Sequence, residues 1–150
     1  MSGYTSIAVA VDLSNESGII IRRALDVAGE GSKIHLIYVQ EPMDSVYMGV
    51  VPYGPVFVGM NEVEENLKSE LKGKLDALGE EFGIPSEDRH FLNGAPAKEI
   101  HRFADEHDIE LVVLGTHGQK GVQLLLGATA NSVLHGSNSD VLAVRIRDGG

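Results

Sequence analysis

Five short β-type runs alternate along the chain with segments of helical periodicity, and this alternation restricts the fold more than any other feature. The first run is continuously apolar, which is typical of a strand buried on both faces. Strands that alternate with helices predict a parallel sheet covered by helices on both faces. We therefore expect an α/β fold in which residues 1–150 form a single domain. The predicted strands are Ser6–Val11, Lys33–Val39, Arg89–Leu92, Ile109–Leu114 and Val141–Ile146.

Apolar residues at helical spacing predict the helices between these strands. The first helix ends at Gly29 and Gly31, and its inward-facing residues are Ile21, Ala24, Leu25 and Ala28. Pro96 suits a first helical position and begins another helix, in which the inward-facing residues are Ile100, Phe103 and Ala104. A further short helix is predicted over Ala128–His135.

The second helix is predicted to begin at Asn61, where a capping-box pattern pairs Asn61 with Glu64. Its apolar stripe consists of Val63, Leu67, Leu71, Leu75, Leu78 and Phe82. The segment Ser45–Met60 before it carries no charge and is long for a connection in a compact domain. We interpret it as a loop that shields a site, as an oligomer contact or as a mobile insertion.

The charge balance excludes several classes of partner. The chain has 22 acidic and 12 basic residues and a net charge of −10. Binding to duplex nucleic acid or to anionic lipid needs a basic surface, so neither partner is expected. The residues MSGYTSIAVAVDLS lack the basic region of a signal peptide, and no apolar stretch is long enough to span a membrane. Cysteine is absent, and we expect a cytoplasmic protein.

Common catalytic and metal-binding motifs are missing from the sequence. Lys120 is followed by Gly121 rather than by serine or threonine, so there is no phosphate loop of the G-x-x-x-x-G-K-[ST] type. The G-x-S-x-G and H-E-x-x-H patterns are also absent. No metal site and no catalytic residue are therefore predicted. The six histidines are His35, His90, His101, His107, His117 and His135.

The segment from Gly115 to Ser139 is the most informative for function. It follows a buried strand, contains several glycines and holds no aspartate or glutamate, although the chain is strongly acidic. Glycines let the backbone approach a ligand, and a helix N-terminus attracts anions. One interpretation is therefore a phosphate site at the carboxyl end of a strand. The other is a flexible glycine loop followed by a buried, uncharged helix.

Three stretches resemble the universal stress protein family: V-V-L-G-T-H-G, L-L-L-G-A-T-A-N-S-V-L and D-V-L-A-V-R. The runs I-A-V-A-V-D-L-S and H-L-I-Y-V-Q-E-P are similar to the first two strands of that family. The resemblance implies a flavodoxin-like fold, also called adenine nucleotide alpha hydrolase-like, with a five-stranded parallel sheet in the order 3-2-1-4-5. It also implies a homodimer. One branch of the family binds ATP, and another lacks the required motif.

The resemblance carries a set of nucleotide-binding positions onto this chain. Asp12 and the backbone of Val39 would face adenine and ribose, and the residues that would face ribose and phosphates are Gly115, Gly118, Gly127, Ala128 and Thr129. The ATP-binding branch has nine residues between the second and third glycines and then serine or threonine. This chain has eight, and Ala128 takes the hydroxyl position, which Thr129 would have to replace. Asp12 is equally well explained as a turn or helix cap.

The resulting expectation is a stress-response binding module that forms a homodimer and binds ATP or another adenine nucleotide weakly. A protein of the same fold that binds no nucleotide is the alternative. Slow ATP hydrolysis or self-phosphorylation is a third reading, although no general base and no pair of Mg²⁺ ligands lie near the glycines. The dimer would form through the last strand, at the sheet edge, by way of Val141, Leu142, Ala143, Val144, Arg145 and Ile146.

Overall fold

The computed structural model describes residues 3–41, 54–116, 133 and 136–146. Within them, five parallel strands form one sheet in the order β3-β2-β1-β4-β5. This order confirms the predicted topology. The strands are β1 (Tyr4–Ala10), β2 (Ala28–Gln40), β3 (Arg89–Asn93), β4 (Leu111–Gly115) and β5 (Asp140–Val144). The helices are α1 (Ser17–Val27), α2 (Gly54–Glu81) and α3 (Pro96–Glu106), and a 3₁₀ turn covers Ser86–Asp88.

The strand ends differ from those predicted because backbone pairing continues past the apolar runs. β2 begins at Ala28 rather than Lys33, and Ala28 pairs with Tyr4 across a register shift. Polar residues are accommodated in this added part because its residues are half-buried or exposed. At the other end of the chain, β5 covers Asp140–Val144, so the predicted strand Val141–Ile146 is wrong by one residue at its start and by two at its end.

The inward face of α1 is narrower than the sequence predicted. Ile21 and Ala24 are fully buried, as expected, but Leu25 is 43% exposed. Ala28 belongs to β2 instead of the helix. The helix buries the face defined by Ile20, Ile21 and Ala24, and Leu25 follows directly after Ala24, to one side of that face.

The helix α2 begins at Gly54, so the predicted start at Asn61 and the capping box there are wrong. Proline suits the first helical turn because it lacks only an N–H that has no partner there, and Pro55 occupies that turn. The helix therefore takes up 54–60 of the segment predicted as a loop. Residues 42–53 lie outside the described part of the chain.

Only part of the predicted apolar stripe of α2 is buried. Leu75 is 2% exposed, and Leu78 and Phe82 pack against the core, but Val63 is 53% exposed. A helix of 28 residues is about 42 Å long, whereas a five-residue strand spans about 17 Å. The sheet therefore covers only the carboxyl-terminal part of α2. No helix in the described residues has the length and hydropathy needed to cross a membrane.

The sheet separates two apolar layers. On one face, α1 and α2 pack on the strands, and the buried residues include Ile7, Val9, Ile21, Leu36, Leu75 and Val113. On the other face, α3 covers a second layer that includes Ala8, Ile37, Ile100, Phe103, Val112 and Val133. The predicted inward residues of α3, which are Ile100, Phe103 and Ala104, are confirmed as buried. Helices therefore cover both faces, and the carboxyl ends of the strands lie along one edge.

Candidate functional site

The edge formed by the carboxyl ends of β1, β2 and β4 holds the candidate site. In the strand order, β1 lies between β2 and β4. The connection after β1 leads to β2 on one side, and the connection after β3 returns to β4 on the other side of β1. Ligands of open α/β sheets bind at such a reversal, outside the carboxyl ends of the strands. Asp12 follows β1, and Gly115 ends β4. Ala10 pairs with Leu114 across the two strands. Asp12 and Gly115, which follow these residues closely in the chain, therefore lie at the reversal.

Asp12 has both a structural contact and an unused acceptor. Its Oδ1 accepts a hydrogen bond from the backbone N–H of Ser14 at 3.0 Å, which fits the predicted role in a turn. Leu13 between them has a φ of 63°, in the left-handed region. The second oxygen, Oδ2, is buried and has no hydrogen-bond partner in the described part of the chain. The turn therefore uses only one of the two carboxylate oxygens.

Two further buried polar groups lie at the same edge, and sequence reasoning missed both. Ser17, the first residue of α1, is fully buried, and its Oγ has no hydrogen-bond partner among the described residues. Gln40, the last residue of β2, is 5% exposed, and its Nε2 also has no hydrogen-bond partner among the described residues. Buried polar groups in folded proteins are nearly always hydrogen-bonded, so unpaired groups require an explanation. The available signal for Gln40 was a glutamine directly after a buried strand.

Val39 directs its backbone toward the β1 side of β2. The N–H of Val11 donates to the carbonyl of Ile37 at 2.9 Å, so the backbone groups of Ile37 face β1. Successive residues of a strand direct their N–H and C=O groups to alternate sides of the strand. The N–H and C=O of Val39, two residues after Ile37, therefore also face β1, toward Asp12. On the other side, the carbonyl of Gln40 accepts from the N–H of Gly94 at 3.0 Å. The backbone of Val39 and the carboxylate of Asp12 thus belong to one part of the edge.

The carboxylate of Asp12 affects its neighbours electrostatically. Burial raises the pKa of the Tyr38 phenol, and the negative charges of Asp12 and Glu41 raise that pKa further. Tyr38 packs with Phe91 at 5.4 Å between ring centroids, on the α1 and α2 face of the sheet. The charge of Asp12 therefore acts on a partly buried phenol at this edge.

Close packing favours a glycine at position 115. The position that a Cβ atom would occupy lies 2.7 Å from Cδ1 of Ile20 and 3.6 Å from Cγ1 of Ile146. These two side chains come from α1 and from the chain after β5, so close packing by itself favours glycine here. A role for Gly115 in binding a ligand stays a prediction.

The remaining predicted phosphate-binding residues, which are Gly118, Gly127, Ala128 and Thr129, lie outside the described residues. Of the predicted helix Ala128–His135, the structure describes Val133, which is helical and fully buried. The carbonyl of Val133 accepts a hydrogen bond from Nε2 of His101 on α3 at 2.9 Å. Val133 therefore packs on the α3 face of the sheet.

The side chains of β5 divide between the interior and the surface. Val144 and Ile146 are 2% and 4% exposed and pack within the chain, on the α1 face. Val141 and Leu142 are half-buried, and Ala143 and Arg145 are exposed. Of the six residues predicted for the dimer interface, the two with the deepest burial are therefore already covered by this chain.

The backbone N–H and C=O groups of β5 point alternately toward β4 and toward the open edge of the sheet. The N–H of Asp140 donates to the carbonyl of Glu110 at 2.9 Å, and the carbonyl of Val144 accepts from Thr116 at 3.0 Å. Even-numbered residues of the strand therefore face β4. The N–H and carbonyl of Ala143 consequently point away from the sheet, where a further strand would pair.

The strand order and the position of this edge define a doubly wound α/β protein of the flavodoxin-like type. The sequence matches the model of the Universal stress protein family over residues 3–145, so the chain belongs to that family. A relative from Coxiella burnetii (strain RSA 493 / Nine Mile phase I), Universal stress protein A homolog 1, is 34% identical over 146 residues. The match covers 97% of this chain and 99% of the relative. The predicted family is confirmed.

Solved structures agree with this fold. The hypothetical protein MJ0577 has a TM-score of 0.75 and 19% identity, with 97% of this chain and 99% of that chain covered. A universal stress protein solved in complex with cAMP has a TM-score of 0.54 and 24% identity, with 95% and 98% covered. At these identities, the two structures support the fold alone.

Proposed function

We propose that this protein is a stress-response binding module that holds an adenine nucleotide at the carboxyl edge of β1, β2 and β4. One observation carries the proposal: the buried, unpartnered side-chain atoms of the described residues are Asp12 Oδ2, Ser17 Oγ and Gln40 Nε2, and all three lie at that edge. Leaving such groups without a partner costs about 1–3 kcal/mol each. A bound ligand that supplies their hydrogen bonds removes that cost.

The mixture of donors and acceptors at the edge suits adenine. The base presents an amino group as a donor and ring nitrogens as acceptors. The carboxylate oxygen of Asp12 is an acceptor, and the amide nitrogen of Gln40 is a donor. The backbone of Val39 offers one group of each kind. A member of the family has been solved with cAMP, which is itself an adenine nucleotide.

The glycine-rich segment would hold the phosphates. Between Gly115 and Ser139 the sequence carries Lys120 and no carboxylate, so phosphate meets no local negative charge there. The eight-residue spacing from Gly118 to Gly127 and the alanine at 128 weaken the site, because a hydroxyl bond is lost or displaced. We therefore expect micromolar affinity, about −8 kcal/mol or weaker.

The proposal includes a cytoplasmic homodimer that pairs through β5. The outward-facing backbone of Ala143 and the half-buried side chains of Val141 and Leu142 support it. Two copies of this strand that meet antiparallel across a two-fold axis close the assembly, and further growth is prevented. The protein acts by binding and does not catalyse a reaction.

Analysis of the bound nucleotide tests the proposal directly. Freshly purified protein is denatured, and the released small molecules are identified by mass spectrometry. Calorimetry then titrates ATP, with GTP as the matched control for phosphate binding alone. We expect a released adenine nucleotide or micromolar binding of ATP with weaker binding of GTP. No released nucleotide and no heat at millimolar ATP would favour the alternative, a protein of the same fold that binds none. Phosphate release from ATP above the buffer rate would contradict the non-catalytic part of the proposal.

A further inference from the structure

Three histidines from three separate elements meet on the α3 face of the sheet. His35 lies on β2, His90 on β3, and His107 directly after α3. The distances between ring centroids are 5.1 Å for His35 and His90, 5.4 Å for His35 and His107, and 5.8 Å for His90 and His107. Phe103 stacks on His107 at 3.9 Å and contacts the other two rings. We call these four residues the histidine cluster.

The hydrogen bonds of the cluster depend on protonation. Nδ1 of His35 lies 3.0 Å from Nε2 of His90, so one of these nitrogens donates and the other accepts. This bond exists only while at least one of the two rings is uncharged. Nδ1 of His107 donates to the carbonyl of Phe103 at 3.0 Å, which fixes the proton of that ring on Nδ1. If His35 and His90 were both protonated on both ring nitrogens, Nδ1 of His35 and Nε2 of His90 would each be a donor and no acceptor would remain between them.

The charged groups around the cluster come from two elements. Asp88, in the 3₁₀ turn, is 6% exposed, and its carboxylate lies 3.6 Å from Nζ of Lys33 on β2. Asp88 favours the charged form of His35 and His90, and Lys33 opposes it. The other side chains that contact the two rings are Phe103 on α3 and His107 directly after it.

Burial and neighbouring rings favour the neutral forms of His35 and His90. Burial lowers the pKa of His35 most, and His90 lowers it further. Burial also contributes most to the lowered pKa of His90, followed by His107. Both values fall below the ordinary 6.5, so the unfolded chain binds more protons than the folded chain below that pH. Stability is therefore complete above about pH 6.5 and is lost as the pH falls toward the lower folded values.

We propose that the histidine cluster is an acid-sensitive latch between the carboxyl end of α3 and the strands β2 and β3. At neutral pH, the hydrogen bond between His35 and His90 joins the two strands, and the rings pack under Phe103 and His107. Acidification charges the rings, the hydrogen bond is lost, and like charges repel within a buried space. The end of α3 and the start of β3 then open, and they close again when the pH rises.

Non-titrating substitutions test the latch. His35→Asn keeps an amide near the position of Nδ1, and His90→Gln keeps one near Nε2, so the double variant retains a hydrogen bond without a titrating ring. We measure urea unfolding at about pH 7.5 and about pH 5. Over this interval, the folding equilibrium constant of the wild type should fall at least about tenfold more than that of the double variant. His101→Gln, on the same helix but outside the cluster, should follow the wild type. Equal losses in the wild type and the double variant would overturn the proposal.

Measurements on the wild type keep the test valid if the double variant does not fold. Nuclear magnetic resonance of the ring protons should give midpoints below 6.5 for His35 and His90. Amide exchange at His90 and at residues 103–107, corrected for its intrinsic pH dependence, should accelerate as the pH falls through those midpoints. Midpoints at or above 6.5, or exchange at these amides that does not change, would contradict an acid-sensitive latch.

Discussion

The side chain of Arg89 on β3 packs against the backbone of Gly79 in α2, and a Cβ atom at Gly79 would lie 2.6 Å from Cδ of Arg89. Arg89 is only 8% exposed at its side chain. Its Nε donates to the carbonyl of Ile84 at 2.8 Å, and its two terminal nitrogens reach Asp76 and Glu80 at 3.5 Å and 3.2 Å. The carboxyl end of α2 is therefore attached to β3 through one guanidinium group that needs the space left by Gly79.

Gly79→Ala is expected to destabilise the protein. The added methyl group overlaps the stem of Arg89, and overpacking of this kind costs about 1–3 kcal/mol. Alanine recovers about 1 kcal/mol through its higher helix propensity, so the net loss is about 0–2 kcal/mol. Gly73→Ala is the matched control, because it lies in the same helix and a Cβ there meets nothing within 4 Å. Urea unfolding should show Gly73→Ala as more stable than Gly79→Ala by about 1–3 kcal/mol. Equal stabilisation of the two variants would show that Arg89 does not need this space.

The fold could be predicted from the sequence because its strands are marked by local apolar runs. The sheet order came from the family resemblance, and the structure confirms it. The start of α2 at Gly54 is not predicted, because the capping pattern at Asn61 indicates a later start. The exposure of Val63 was missed because periodicity does not show how far a helix extends beyond its sheet.

The candidate site was only partly visible in the sequence. Asp12 and Val39 follow from strand ends and from the family resemblance, whereas Gln40 and Ser17 become visible only when burial and hydrogen-bond partners are known. The histidine cluster was also missed. His35, His90 and His107 are far apart in the chain, and their spacing does not indicate that the three rings meet in the folded protein. Contacts between distant elements depend on the register of the sheet, which local patterns do not contain.

Asp12→Asn and Gln40→Leu are expected to weaken adenine nucleotide binding. Asp12→Asn removes the negative charge and puts an amide donor in place of the unpartnered acceptor, and Gln40→Leu removes the unpartnered donor. Each lost hydrogen bond should weaken binding by about 0.5–1.5 kcal/mol, or more where the lost acceptor is charged. Asp26→Asn, an exposed aspartate on α1, makes the same charge change away from the site. Calorimetry with ATP should show weaker binding for the first two variants and wild-type binding for the control. If Asp12→Asn and Asp26→Asn have the same effect, Asp12 acts only through overall charge.

Gly127→Asp is expected to eliminate nucleotide binding while the fold is kept. It adds a side chain and a negative charge at the position that the resemblance assigns to phosphate. Circular dichroism checks that the variant folds, and calorimetry measures its affinity for ATP. Unchanged affinity would show that the binding site lies elsewhere on the protein.

The residue after Gly127 offers a test in the opposite direction. Ala128→Ser restores the hydroxyl of the ATP-binding branch, and a gained hydrogen bond to phosphate should tighten binding by about 1–3 kcal/mol. Thr129→Ala should weaken binding by a similar amount if Thr129 already supplies that contact. A gain in the first variant without a loss in the second would assign the contact to residue 128. If neither variant changes the affinity for ATP, no hydroxyl at these positions meets a phosphate.

If the protein forms the proposed dimer, Ala143→Pro is expected to make it monomeric without breaking the bonds between β5 and β4. The backbone of Ala143 points away from the sheet, so proline there removes a donor that only a partner strand would use. Leu142→Pro is the matched control, because the backbone of Leu142 faces β4 and its loss should destabilise the fold itself. Light scattering measures the mass, and urea unfolding measures the stability. We expect monomeric, folded Ala143→Pro and strongly destabilised Leu142→Pro. A wild type that is monomeric at high micromolar concentration, or a dimeric Ala143→Pro, would contradict pairing through this strand.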